Sequence, residues 1–284
     1  MKRCVSYWSI EGGLAGSAPI DEAMRQAKEA GFDGIELAIR AAGEDGGVLH
    51  TQTDQTTCEK YRALAADHGL ALETVAAGLS WGCSPTDPSE ATRRRSIQSH
   101  ADALQRAAWL GAKSMLMVPG AVTIPWDPKY GPVKYDQAIA WAREAARQLA
   151  PVAEKVGVEM CLENVWNGMF YSPIEFAQFV DSIGSGSVGI YFDAGNVLGY
   201  HQHPPHWIEI LGQRIRRVHI KDFRREIGNL SGFCDLLAGD MPWRQTMQAL
   251  RAIGYDKTIV AEMMPPDATL LERTKAAMDV IVEM

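Results

Sequence analysis

Eight short β-rich runs alternate with amphipathic, helix-compatible stretches along the whole chain, and this alternation constrains the fold more than any other feature. The predicted strands cover residues 4–9, 34–39, 70–76, 114–118, 158–163, 188–193, 215–220 and 258–262. Helices are expected over 19–30 (or from 21), 55–68, 89–110, 135–156, 173–183, 205–211, 243–253 and 270–282. Several helical patterns run into a glycine, as at Gly31, Gly69, Gly111, Gly157 and Gly254, the residue that best tolerates the left-handed turn closing a helix. Eight strand–helix units predict an α/β fold, a (β/α)8 barrel with residues 1–284 as one domain; its length is close to the ~250 residues such a barrel uses. The structural rival is a doubly wound open sheet. It would carry a Gly-x-Gly-x-x-Gly turn after its first strand, and Glu11-Gly12-Gly13-Leu14-Ala15-Gly16 lacks that spacing.

Four consecutive predicted strands end in side chains that bind metals: Glu163, Asp193, His219 and Glu262. In a closed parallel barrel the C-terminal strand ends converge, so three carboxylates and one imidazole would form a hard oxygen and nitrogen site for one divalent cation. Side chains alternate along a strand, so Cys161 should point inward with Glu163, and Arg217 and Lys221 with His219. Such an ion can hold a sugar's carbonyl and adjacent hydroxyl, acidify the neighbouring C–H bond and stabilise an enediolate. Glu163 and Glu262, from well-separated strands, would then remove and return the carbon-bound proton. One carboxylate on each face gives epimerisation; a single shuttling carboxylate gives aldose–ketose isomerisation.

Composition narrows the partners. A net charge of −7 argues against nucleic acid, because phosphate binding draws on clustered Lys and Arg. The one basic run, Arg93-Arg94-Arg95, sits in a helical pattern and reads as a solvated face. No apolar run approaches the ~20 residues that cross a bilayer, and the start of the chain passes directly into a strand pattern, so no membrane association is expected. Five scattered cysteines without Cys-x-x-Cys spacing suggest reduced thiols in a cytoplasm.

The motifs Leu162-Glu163-Asn164, Phe192-Asp193-Ala194-Gly195-Asn196, Val218-His219-Ile220-Lys221-Asp222 and Ala261-Glu262 resemble those of the sugar phosphate isomerase/epimerase superfamily. These are the xylose isomerase-like TIM barrels that include ketose 3-epimerases. The resemblance implies that Glu163, Asp193, His219 and Glu262 bind one divalent ion, Mn²⁺, Co²⁺ or Mg²⁺ with Zn²⁺ also accommodated. It implies that Glu163 and Glu262 double as the acid/base pair, that Arg225 holds substrate oxygens, and that the chain forms a homodimer or tetramer. The outer helix carrying Trp109 offers an interface. Where free-ketose 3-epimerases have a substrate-binding Glu and a His, this chain has Met169 and Asn196. The Asp-x-Gly-Asn and Val-His-x-Lys-Asp forms look more like the branch acting on pentulose 5-phosphates, with Lys221, Arg224 and Arg225 able to meet a phosphate. Sugar and sugar phosphate therefore both stay open as substrate.

Other residues complete the expected site. Trp8 and Trp166 follow strand ends and would wall the pocket, while Glu36 would reach the mouth as a substrate contact or ligand support. Asn196 and Lys221 would meet substrate, and Asn164 and Asp222 would orient the ligands. His201, His203 and His206 form a turn that suits a second metal or a helix cap. A dehydratase resembling inosose dehydratase would share the metal-assisted first step and then expel a hydroxyl. A DNA-repair enzyme of the endonuclease IV type would need more His and Asp ligands than this acidic chain, with seven histidines, offers.

Overall fold

The computed structural model describes residues 1–43 and 48–284, so positions 44–47 of the expected loop 40–54 lie outside the described residues. Strands β1 (Lys2–Ser6), β2 (Gly34–Ala38), β3 (Thr74–Ala77), β4 (Ser114–Met117), β5 (Glu159–Glu163), β6 (Val188–Asp193) and β7 (Ile215–Ile220) run parallel, each paired with the next. After β7 a short antiparallel pair, β8 (Asp222–Phe223) and β9 (Phe233–Cys234), stands apart from the main sheet. Strand β10 (Thr258–Ala261) then closes the barrel by pairing with both β7 and β1.

Alternation along the strands sorts the side chains. Met160 and Leu162 of β5, Ile190 and Phe192 of β6, and Val218 and Ile220 of β7 point outward into the main apolar core beneath the helices. Cys161 and Tyr191 point inward with Ala76, Leu116 and Val118, a small apolar plug that fills the barrel axis. Arg217 is also buried, as its inward register requires. The polar inward positions then fall at the C-terminal strand ends, which places the site.

The surrounding helices are α1 (Ile20–Glu29), α2 (Gln55–Asp67), α3 (Glu90–Trp109), α4 (Tyr135–Val156), α5 (Pro173–Asp181), α6 (Ala194–Gly199), α7 (Pro204–Leu211), α8 (Trp243–Ala252) and α9 (Leu270–Glu283). Local chemistry sets their ends. Asp54 accepts the Thr57 N–H at 2.8 Å to start α2, Ser172 with Pro173 starts α5, and Gly157 ends α4 at φ +70°. Among the described residues no helix is long and apolar enough to cross a membrane, and all five cysteines are free thiols.

Beyond shifts of a residue or two at element ends and the unpredicted β8–β9 pair, the structure departs from the prediction at the first and third strands and at α6. The first strand ends at Ser6, and residues Tyr7–Ser9 form a 3₁₀ turn. The third strand begins at Thr74 rather than Leu70. Helix α6, absent from the sequence reading, starts directly on β6 because the Asp193 carboxylate accepts the Asn196 N–H at 2.8 Å.

Gly34 tests the packing at the barrel's first crossover. A Cβ there would come within 2.4 Å of the Ala71 carbonyl and 2.8 Å of Cys4 Sγ. Gly34→Ala should destabilise the fold by about 1–3 kcal/mol, read as a lower urea midpoint. Gly186→Ala, where a Cβ meets nothing within 4 Å, should stay within about 0.5 kcal/mol of the parent.

Candidate metal centre and reaction cavity

Strands β5, β6, β7 and β10 deliver Glu163, Asp193, His219 and Glu262 to one point. One ligand atom from each lies within 4.8 Å of the others, and all four side chains are buried. His219 Nδ1 is 3.4 Å from Glu163 Oε1 and 3.0 Å from Glu262 Oε2. The opposite ring nitrogen, Nε2, lies 2.8 Å from Glu36 Oε1. Glu36 also accepts from the Tyr191 hydroxyl at 2.5 Å and the Thr74 hydroxyl at 3.2 Å. This places the Nε2 proton on Glu36 and turns Nδ1 toward the cluster, the arrangement that fixes a ligand imidazole.

The donor set fits a cation on its own chemistry. Glu163 Oε1, Asp193 Oδ2 and His219 Nδ1 are buried without a hydrogen bond. Buried polar atoms ordinarily have partners, so three orphans facing one another mark a place that a positive ion completes. Lys221 meets part of this demand: its Nζ lies 2.9 Å from Asp193 Oδ2, without hydrogen-bond alignment, and 2.8 Å from Glu262 Oε2.

Asparagines hold the frame. The Asn164 amide donates to the Asp193 carbonyl at 2.8 Å and accepts the Asp193 N–H at 2.9 Å. The Asn196 amide donates to the Asn164 carbonyl at 3.0 Å. These bonds lock the ends of β5 and β6 together, so Asp193 is positioned through its backbone.

Environment splits the protonation of the carboxyls. Burial raises Glu163, to about 7, against the opposing pull of His219 and Lys221. Burial also acts upward on Glu262, but Lys221 and His219 outweigh it and hold that carboxyl low, at about 2. Burial disfavours the His219 imidazolium, yet Glu36, Glu163 and Glu262 together raise its pKa well above the usual histidine range.

A cavity of about 620 Å³ opens above the cluster, lined at its floor by Glu163, Glu262, Lys221 and Asn196. Trp8 and Trp166, both expected as walls, line it. Trp166 donates to the Asn196 carbonyl at 2.9 Å and packs on Phe223 and Phe233. Trp81, Trp126 and Arg40 also line it and were missed. Their only sequence signal is that each follows a strand end.

Other expectations are corrected. Glu36 does not reach the mouth as a substrate contact: it is fully buried, two residues before the end of β2, and sits behind His219, a position that suits the other expected role of ligand support. Asp222 lines the cavity, but its carboxylate accepts N–H donors from Phe223, Leu237, Met241 and Trp243. It therefore anchors the β7–α8 loop rather than a ligand. Arg225 is exposed and outside the cavity lining, its backbone N–H on Asp240. Arg224 is likewise exposed and outside the lining, its guanidinium on the Ala238 carbonyl. Spacing along the chain fixed their positions but not the direction that the β8–β9 excursion gives them. Met169 is buried in the main core. His203 and His206 stack on each other, with ring centroids 4.6 Å apart, and neither belongs to the ligand cluster.

Residues 24–283 match the family model described as xylose isomerase-like TIM barrel. The chain is 25% identical over 266 residues to D-psicose 3-epimerase of Ruminiclostridium cellulolyticum, covering 90% of this chain and 81% of the relative. It is 23% identical to D-psicose 3-epimerase of Agrobacterium fabrum, with 90% and 82% covered. Among solved structures, D-psicose 3-epimerase with D-tagatose from Clostridium cellulolyticum superposes with a TM-score of 0.79 at 20% identity, covering 99% of this chain and 98% of that one. The IOLI protein with a binding zinc atom superposes with a TM-score of 0.77 at 15% identity, covering 100% of this chain and 98% of that one.

Two outcomes are expected from the cluster's electrostatics. Because neighbouring carboxylates keep the His219 proton well above the usual range, an incoming cation must displace it. Mn²⁺ affinity should therefore rise from pH 6 to pH 8, by about tenfold per pH unit for each proton released. Calorimetry in two buffers of different ionisation enthalpy counts that proton; flat affinity with no release contradicts this reading. Glu36→Gln, which weakens the acceptor behind His219, should lower Mn²⁺ affinity by about 10–100-fold.

Proposed function

The chain belongs to the xylose isomerase-like TIM-barrel family, and from that premise we propose that it is a divalent-cation-dependent epimerase or isomerase of a neutral keto sugar. Glu163, Asp193, His219 and Glu262 would hold the ion, with Mn²⁺, Co²⁺ or Mg²⁺ suited to three oxygens and one nitrogen. The IOLI protein, which shares this fold, carries a binding zinc atom, and this supports a metal-dependent reading. The bound ion supplies Lewis-acid polarisation of the substrate carbonyl.

The observation that carries the reading is the convergence of two buried glutamates from separate strands on the floor of one cavity. Glu163 Oε1 and Glu262 Oε2 lie 3.4 Å and 3.0 Å from His219 Nδ1, and Glu262 is also paired with Lys221 at 2.8 Å. Two carboxyl groups brought to one floor from different strands suit an acid and a base on either side of one carbon. Glu262 would take the proton adjacent to the carbonyl, and Glu163 would return one from the other face. Lys221, at the cavity floor, would face the substrate oxygens, with Trp8 and Trp166 packing against the sugar's apolar faces.

A neutral substrate is supported by how the cations are engaged: Arg40, which lines the cavity, donates to the Leu14 carbonyl at 2.6 Å. Arg224 and Arg225 are outside the cavity walls, and the Lys221 ammonium is shared by Asp193 and Glu262. The D-psicose 3-epimerase relatives favour epimerisation over elimination. An endonuclease IV-type reading needs a larger ligand set than the one four-residue group found among the described residues.

Incubation of the Mn²⁺-loaded protein with a panel of keto sugars in D₂O is the direct test. The account predicts incorporation of solvent deuterium next to the carbonyl with no loss of water from the substrate. Glu163→Gln and Glu262→Gln should each slow that exchange by at least about 10²-fold. Loss of the mass of water would instead identify a dehydratase, and normal exchange in Glu262→Gln would remove that residue from the mechanism.

A further inference from the structure

We propose that the mouth of the cavity is a second subsite for an apolar or aromatic substituent, so that the substrate is a keto sugar bearing a glycoside-type group and not a free ketose. This rests on the reading of the floor as the site of proton transfer. Size gives the first argument. Liquid water occupies about 30 Å³ per molecule, and at about half that per heavy atom a hexose fills roughly a third of such a space. The remainder of the 620 Å³ cavity, which opens to solvent at its mouth, leaves room for a further group.

The walls say what kind. Leu14, Trp126, Leu230 and Met264 are 59%, 50%, 42% and 42% exposed, and all four line this one cavity. They come from four separate loops: after β1, after β4, between β8 and β9, and after β10. Single exposed apolar residues are ordinary, but a collar assembled from four loops around one opening marks a binding surface. Trp126 meets Trp81 edge-on, with centroids 4.6 Å apart at 69°. Gly78 keeps this aromatic corner close to Trp8, since a Cβ there would meet Trp8 at 3.3 Å and Trp81 at 3.6 Å. Charge is segregated: Glu163, Lys221 and Glu262 sit at the floor, whereas the collar contributes Arg40, whose guanidinium donates to the Leu14 carbonyl at 2.6 Å. A polar reacting end and an apolar far end are the chemistry of a sugar joined to an apolar or aromatic group.

The test compares the methyl and phenyl β-glycosides of 3-keto-glucose, which differ only in the group aimed at the collar, binding to the Mn²⁺-loaded full chain by calorimetry. The phenyl glycoside should bind at least about tenfold more tightly, equal to about 1.4 kcal/mol. Trp126→Ala should cut that ratio to below about threefold, and Trp126→Phe should restore most of it. Leu230→Ala provides a second, independent loss should Trp126→Ala fold poorly. Equal affinities for the two glycosides overturn the proposal. So does a parent dimer that Trp126→Ala converts to monomer in sedimentation with no phenyl preference, which makes the collar an interface between copies. A phenyl preference without deuterium exchange on any keto sugar upholds the subsite and removes the proposed reaction. Exchange without a phenyl preference does the reverse.

Discussion

A shortage of positive charge at the closed heart of the barrel governs this molecule. Glu36, Glu163, Asp193 and Glu262 are buried in one connected network whose cationic members are Lys221 and the His219 imidazole. Four carboxylates against two cations leave a deficit of two positive charges in a region with little water to screen it. Burying ionised groups is costly unless they are paired, and an unpaired set shifts its protonation instead. The raised Glu163 and His219 are that shift. A divalent ion that displaces the His219 proton would add positive charge at one point and give the orphaned oxygens a partner, which links those oxygens, the pH sensitivity and the proposed chemistry to a single cause.

The barrel tolerates this centre because it divides the work between its faces. Outward residues of each strand build the apolar core against the helices, and Leu116, Cys161 and Tyr191 plug the axis below the charged layer. The plug also serves the site directly, since the Tyr191 hydroxyl donates to Glu36, which in turn orients His219. Stability therefore lives in the helix–sheet annulus, and the C-terminal mouth is left to loops that can vary with substrate.

What was legible in the chain follows the same division. The four ligand candidates could be read because each lies at, or within one residue of, the C-terminal end of a strand, and those ends share one side of a parallel barrel whatever the loops do. Inward register also placed Cys161, Arg217 and Lys221 without three-dimensional information. Depth was not legible: Glu36 and Glu163 both sit on inward positions, but only closure of the barrel puts one behind His219 and the other beside it. Helix α6 was hidden because Asp193 acts as strand end, ligand candidate and helix cap at once. Loop direction was hidden as well. The β8–β9 excursion, pinned by Asp222, turns Arg225 outward, while Trp81 and Trp126 meet only because two distant loops fold over one opening.

The central claim, that these four side chains hold a divalent ion, is tested most directly by anomalous diffraction from crystals of the protein loaded with Co²⁺. The account predicts one strong peak per chain at about 2.0–2.3 Å from Glu163, Asp193, His219 Nδ1 and Glu262. A cluster with no peak at saturating Co²⁺, or a peak only at His203 and His206, would contradict it.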